Sequence, residues 1–295
     1  MNSVWDQETK YFYALTPEVI DHSIEIRGLR ASGRVFALNS MENRVYEVEV
    51  SPHDFWEDPF SPDSVIVKFY RPGRWSREAI KEEHQFLLEL HGYGIPVIAP
   101  LVFDDETLFE CPTTGFFYVL FPKMRGRLKD ELNKEEIEQI GRLAARIHQV
   151  GSAGTFSHRP FFHPKNYIDV HFDHLSKAEF LPKTTVSHYL QLAKDLSALI
   201  TPVFDHFKIQ RIHGDLHRGN ILWTSKGPWV VDLDDCAMGP REQDLWPLLP
   251  GRDEYSLKDH EIFLEAYHSM SQDSTGIYLP RLVIESLRTL RMIHF

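Results

Sequence analysis

Between Arg211 and Asp235 the chain carries two apolar runs that each lead into acids and an amide. They read Arg211-Ile-His-Gly-Asp-Leu-His-Arg-Gly-Asn-Ile-Leu-Trp223 and Trp229-Val-Val-Asp-Leu-Asp-Asp235. Asp215 and Asn220 stand five apart, and Asp232 follows the second apolar run. Gly214 and Gly219 disfavour a helix, so the segment reads as a loop bracketed by strands. Phosphoryl transfer uses this order of groups: an Asp that orients the attacking hydroxyl, then an Asn and a second Asp that hold Mg²⁺. The hard Mg²⁺ ion takes oxygen ligands, and the hydroxyl needs a carboxylate beside it. Asp215 is therefore expected as base and orienter, with Asn220 and Asp232 as metal ligands and Asp232 also counted as catalytic. Plain turn chemistry, in which Asp and Asn bond their own backbone, accounts for one Asp-Gly-Asn region but not for the bracketing strands and acids.

A nucleotide-holding half is expected upstream. Ser64-Val-Ile-Val-Lys-Phe-Tyr70 reads as a strand whose apolar run is interrupted by Lys68. A charge there is costly to bury unless it is paired. Lys68 is read as a holder of ATP phosphate oxygens steadied by a helix carboxylate; the alternative is an edge lysine whose amine reaches water. Ser76 is placed as the cap of a helix over Arg77–Leu90 with Ile80, Phe86, Leu87 and Leu90 on its buried face. Of its two candidate partners for Lys68, Glu82 and Glu83, the second lies on that face, and Glu82 reads as a solvated charge. The expected hairpin over 33–50 has the tip Leu38-Asn-Ser-Met-Glu-Asn-Arg44, with no G-x-G-x-x-G. Ser40 is the candidate phosphate contact there, against an unliganded polar turn.

The remaining segments order themselves around these two halves. A short helix is expected within 16–30, capped by Thr16 with Pro17 in the first turn. Residues 51–63 read as a loop, and two further strands fall near Leu101–Phe103 and Phe116–Phe121, the second closed by Pro122. The pattern then turns helical, with an amphipathic stretch over Glu135–Val150 and an irregular connection over 151–183. Helices follow over Val186–Phe207 and near Asp244–Leu249, Lys258–Met270 and Leu279–Phe295. Leu282, Ile284, Leu287, Leu290 and Ile293 of the last one still need a partner. The last helix also lacks a stop signal, which raises the expectation of a longer natural chain.

Composition removes several classes. A net charge of -11 argues against a general nucleic-acid binder. Cys111 and Cys236, the two cysteines, support neither a disulfide framework nor a cysteine zinc site, so a cytoplasmic setting fits. The basic n-region of a secretory signal is missing, as is any run of about 18 apolar residues that would span a membrane. His213 and His217 are four apart, but a metal pair at that spacing needs a helix. His213 is read as pinning the loop, and the role of His217 stays open between phosphate and acceptor. Asp234 and Asp235 are read as supporting groups or extra Mg²⁺ contacts, and Asp244 as a brace acting through backbone hydrogen bonds. His158, His163, His171 and His174 are expected at surface or satisfied positions.

His213-Gly-Asp-Leu-His-Arg-Gly-Asn220 with Val231-Asp-Leu-Asp-Asp235 resembles the aminoglycoside phosphotransferase and choline kinase-like superfamily. Leu38–Tyr46, Val67-Lys-Phe-Tyr-Arg-Pro-Gly-Arg-Trp75 and Glu82-Glu-His-Gln-Phe86 resemble, more narrowly, the bacterial stress response kinase A (SrkA/RdoA) family. So do Gly239-Pro-Arg-Glu-Gln-Asp-Leu-Trp246 and Leu287-Arg-Thr-Leu-Arg291. The resemblance implies an α+β, bilobal protein kinase-like fold: an antiparallel sheet plus helix over 1–122 and a mainly helical lobe over 123–295. It also implies a cytoplasmic, monomeric serine/threonine protein kinase that uses ATP and Mg²⁺ in stress survival, with no nucleic-acid or membrane partner. Ser40 falls on the family's ATP-loop serine, Asp215 on its proton acceptor, and Asn220 and Asp232 on its Mg²⁺ ligands. The family's chain extends beyond the Arg288–Arg291 region. A small-molecule acceptor such as choline, homoserine or an aminoglycoside, and a nucleotide-binding scaffold without catalysis, are the competing readings.

Overall fold

The computed structural model describes residues 12–40, 42–52, 59–168, 172, 182–251, 253–271 and 279–294. His171 and His174, with the rest of residues 169–171 and 173–181 of the expected 151–183 connection, and residues 53–58 of the expected 51–63 loop lie outside them. The chain divides into two compact units, Met1–Leu128 with Leu222–Val231, and Lys129–Ile221 with Asp232–Phe295.

The first unit holds α1 (Pro17–Glu25), β1 (Ala31–Leu38), β2 (Arg44–Val50), β3 (Phe60–Phe69), α2 (Arg77–Gly92), β4 (Phe109–Glu110) and β5 (Phe117–Met124). The strands form one antiparallel sheet in the order β1-β2-β3-β5-β4. Thr16 stands at the N-cap of α1, but its side chain makes no capping hydrogen bond. Side chains alternate along a strand, so each strand serves two cores. Val65, Val67 and Phe69 join Ile20 and Ile24 of α1, with Val48, Tyr118 and Leu120. The opposite face carries Val119, packed with Tyr70, Leu108 and Ile80 of α2. Lys68 pairs in register with Val119 and so lies on this second face.

Two sequence expectations are corrected here. Leu101–Phe103 is irregular, because Asp104 and Asp105 take positive φ and turn Phe103 back onto Glu106; the fourth strand is Phe109–Glu110. Pro122 does not close β5, which runs on to Met124. Its partner strand shifts register between Phe60 and Val65, and such an irregularity tolerates a residue without an N–H.

The second unit is built on α3 (Lys134–Gly151), α4 (Pro164–Tyr167), α5 (Lys183–Phe204), α6 (Glu242–Leu245), α7 (Glu254–Met270) and α8 (Arg281–His294). A two-stranded ribbon joins β6 (Ile209–Ile212) antiparallel to β9 (Ala237–Pro240). A second ribbon, β7 (Ile221–Thr224) with β8 (Gly227–Val230), carries the chain back through the first unit. A capping box starts α3, with Asn133 accepting from the Glu136 N–H and Glu136 from the Asn133 N–H. Most of the apolar face of α8 finds partners: Leu287 and Leu290 are buried with Ala193, Ile200 and Phe204 of α5 and Ile212 of β6, and Ile293 packs against them, whereas Leu282, expected on this face, stays exposed. Among the described residues no helix is long and apolar enough to cross a membrane.

Candidate active site

Lys68 and Glu83 meet in the interior of the first unit, Nζ to Oε1, at 3.4 Å. The strand places Lys68 on the α2 side of the sheet, and Glu83 lies one turn from Ile80 and Leu87 on the buried face of α2. Ser76 caps that helix by accepting from the Ala79 N–H at 3.1 Å. The pair is only 8% and 1% exposed by side chain, so neither charge could remain there alone. Tyr70 reinforces it, its hydroxyl donating to Glu83 Oε1 at 3.4 Å and standing 2.9 Å from His84 Nε2. His84 Nδ1 stands 2.8 Å from the Thr107 hydroxyl, and Glu82 is half-buried.

Ser40 is half-buried in the connection from β1 to β2. The far side of that connection is fastened to the chain that follows β3. Asn43 Oδ1 accepts from the Arg71 N–H at 3.1 Å, and Glu42 pairs with Arg71 at 2.7 Å and Arg74 at 3.6 Å.

In the second unit β6 ends at Ile212 and releases the loop His213–His217, which a short 3₁₀ turn, Arg218–Asn220, closes. Asp244 is wholly buried and braces this loop as expected. Its Oδ2 accepts from the His213 N–H at 2.7 Å and its Oδ1 from the Gly214 N–H at 2.8 Å. His148 Nε2 stands 3.1 Å from the same Oδ2, and its Nδ1 is 2.9 Å from the Tyr267 hydroxyl. Gly214 has a φ of 85°, and a Cβ there would stand 2.0 Å from the Asp235 carbonyl, so the loop passes where only glycine fits.

The same loop fixes Asp215 and Asn220 together. Asn220 Nδ2 donates to the Asp215 carbonyl at 2.9 Å, and the Asp215 N–H donates to His213 Nδ1 at 3.3 Å. His213 is therefore a fully buried loop pin rather than half of a helical metal pair. His217 Nε2 stands 3.7 Å from Asp215 Oδ2. Asp232 is exposed at a φ of 60°, a sparsely populated conformation for a non-glycine residue that persists where its surroundings impose it. Burial pushes the Tyr167 phenol upward, and the Asp235 carboxylate adds in the same direction. Burial likewise raises Glu242.

Several supporting residues escape the sequence reading. Arg159 donates from Nε to the Cys236 carbonyl at 2.8 Å and from Nη2 to the Asp234 carbonyl, holding the turn after Asp232. Arg211 closes the end of α3, giving Nη2 to the Val150 carbonyl at 2.9 Å and Nε to Gly151 at 3.2 Å. Arg291 of α8 pairs with Asp215 Oδ1. Their partners are backbone carbonyls or distant in sequence, so no local spacing announces them.

The model of the phosphotransferase enzyme family matches residues 36–279. The chain belongs to that family. Within this phosphotransferase family it also groups with the stress response kinases A. It is 36% identical over 286 residues to "Stress response kinase A" of Escherichia coli (strain K12), covering 96% of this chain and 82% of that one. The same figures hold for "Serine/threonine protein kinase RdoA" of Salmonella typhimurium. Among solved structures, the amicoumacin kinase hAmiN in complex with AMP-PNP, Ca²⁺ and Ami superposes with a TM-score of 0.67 at 19% identity, covering 94% of this chain and 85% of that one. The microcompartment-associated aminopropanol kinase gives 0.64 at 19% identity, with coverages of 95% and 86%. The fold is accordingly the α+β, bilobal kinase-like one, and the chain is a kinase of the transferase class.

Proposed function

We propose that the chain transfers the γ-phosphoryl group of ATP to a serine or threonine hydroxyl of a protein, with Mg²⁺ as cofactor, in a cytoplasmic stress response. The identity of 36% over 96% of the chain to relatives that carry the kinase names above supports this choice of acceptor. In the proposed division of labour residues 1–122 hold the nucleotide and 123–295 supply the catalytic and acceptor-binding groups, acting as a monomer.

Lys68, steadied by Glu83, binds phosphate oxygens, and Ser40 adds a hydroxyl contact. Asp215 orients the acceptor hydroxyl and takes its proton late in a loose transition state. The proposed metal ligands suit Mg²⁺, which binds oxygen and shares its shell with substrate phosphates. Asn220 spends its NH₂ on the Asp215 carbonyl, so its amide oxygen is left for a cation, and Asp232 offers an exposed carboxylate. Bound there, the ion would supply neutralisation of the charge that develops on the phosphates.

Labelled ATP offered to protein substrates and to a metabolite panel, with mass spectrometry of the products, tests the acceptor. Phosphoserine or phosphothreonine on protein is expected; label on a metabolite alone would overturn that choice. Asp215→Ala should lower transfer by about 10²-fold or more while ATP still binds, the span usual for loss of a positioned base. Full activity of that variant would remove Asp215 from its proposed role, and tight ATP binding without any transfer by the wild-type chain would leave a scaffold.

A further inference from the structure

We propose that Arg291 is a positioning residue for Asp215: it occupies Oδ1 of the carboxylate and so presents Oδ2 as the atom that receives the acceptor proton. The inference rests on Asp215 being the base.

One guanidinium makes two bonds to adjacent parts of the loop. Arg291 Nη2 donates to Asp215 Oδ1, and Nη1 donates to the Gly214 carbonyl at 3.3 Å. A planar, always-charged fork that spans a carboxylate and the peptide before it fixes the carboxylate relative to its own backbone. That backbone is itself held by Asp244, His213 and Asn220. Among the described residues Oδ2 accepts no hydrogen bond, with His217 Nε2 3.7 Å away.

Docking of α8 does not explain the contact. Leu287 and Leu290 are fully buried and already seat the helix on α5 and β6. Arg288 is engaged elsewhere, over the Trp246 ring at 5.2 Å and with Glu285 at 2.9 Å. Arg291 follows Leu287 by one helical turn, so the apolar anchors aim it at the loop. The pair remains about one-fifth exposed, 23% and 19% by side chain, where a reacting hydroxyl can reach.

In the step itself the acceptor O–H bond breaks and its proton passes to Asp215 Oδ2. A bond forms from the acceptor oxygen to the γ-phosphorus, and the bond from γ-phosphorus to the β,γ-bridging oxygen breaks to leave ADP. Asp215 then returns its proton to solvent. Arg291 exchanges no proton and keeps Oδ1 out of the reaction.

The test measures ADP release from Mg-ATP with dephosphorylated casein for the full chain and for Arg291→Gln, Arg291→Lys, Asp215→Asn and Arg291→Gln with Asp215→Asn together. Arg291→Gln should lower kcat by about tenfold or more with KM for ATP within about twofold, since it removes an interaction that serves the transition state alone. Arg291→Lys should recover part of the loss. In the Asp215→Asn background Arg291→Gln should change nothing further, because the residue acts through the carboxylate. Unchanged kcat in Arg291→Gln, a loss that adds to that of Asp215→Asn, or a change confined to KM for ATP would each overturn the proposal. Thermal melts check folding, and should Arg291→Gln unfold, Arg291→Lys carries the test: it must lose kcat in the single-variant background and not in the Asp215→Asn one. An Asp215→Asn variant as active as wild type would sink the proposed function itself, whereas inactive Asp215→Asn beside fully active Arg291→Gln sinks this inference alone.

Discussion

Asp244 gathers two backbone N–H donors and the His148 ring around one carboxylate that is 0% exposed. Removing it strands two buried donors, each costing about 1–3 kcal/mol. Asp244→Ala should therefore lower stability by about 3 kcal/mol, read as a fall in urea midpoint at constant m. Asp244→Asn, which keeps one acceptor oxygen, should lose less. A midpoint unmoved by Asp244→Ala would show that the loop is held otherwise. The brace is legible as a role for an acid after the Val-Asp-Leu-Asp-Asp run, but the identity of the donors is not. His213 and Asp244 are 31 residues apart, and only folding brings them together.

Among the elements, α3 and α7 of the second unit pack closely. A Cβ on Gly141 of α3 would stand 2.6 Å from the Phe263 carbonyl and 3.1 Å from the Ala266 Cβ of α7. Helix propensity alone predicts a gain of about 1 kcal/mol for Gly141→Ala. Overpacking costs about 1–3 kcal/mol, and more where a backbone atom blocks the methyl group. Packing should win, and the variant should melt about 3 °C or more below wild type; a higher melting temperature would mean that the helices separate freely. The amphipathic stripe of α3 was readable because it depends on neighbours three and four residues away. The strand misplaced at Leu101–Phe103 shows the reverse, since two aspartates at positive φ, not hydrophobicity, decide that turn.

Over the whole molecule, the proposed nucleotide binding should couple to stability by mass action. Mg-ATP at 100 times its Kd should stabilise the native chain by about 2.7 kcal/mol. Lys68→Met should abolish that thermal shift, and it should also destabilise the free protein by about 3 kcal/mol because it removes the cation beside a buried carboxylate. Asp215→Ala should keep the shift. A normal Mg-ATP shift in Lys68→Met would detach Lys68 from the nucleotide. The sequence by itself determined the sheet-then-helices plan, the helix after β3 with Glu83 on its buried face, and where the proposed site residues Lys68, Asp215, Asn220 and Asp232 stand in that plan, since strand alternation, helix periodicity and loop chemistry are local properties. Tertiary structure decided which N–H donors of the 213–220 loop Asp244 accepts from, and that α8 delivers Arg291 to Asp215. Those contacts join residues 30 to 76 positions apart. Their partners are selected by burial and by the need to satisfy every buried charge and N–H, and no local pattern encodes that.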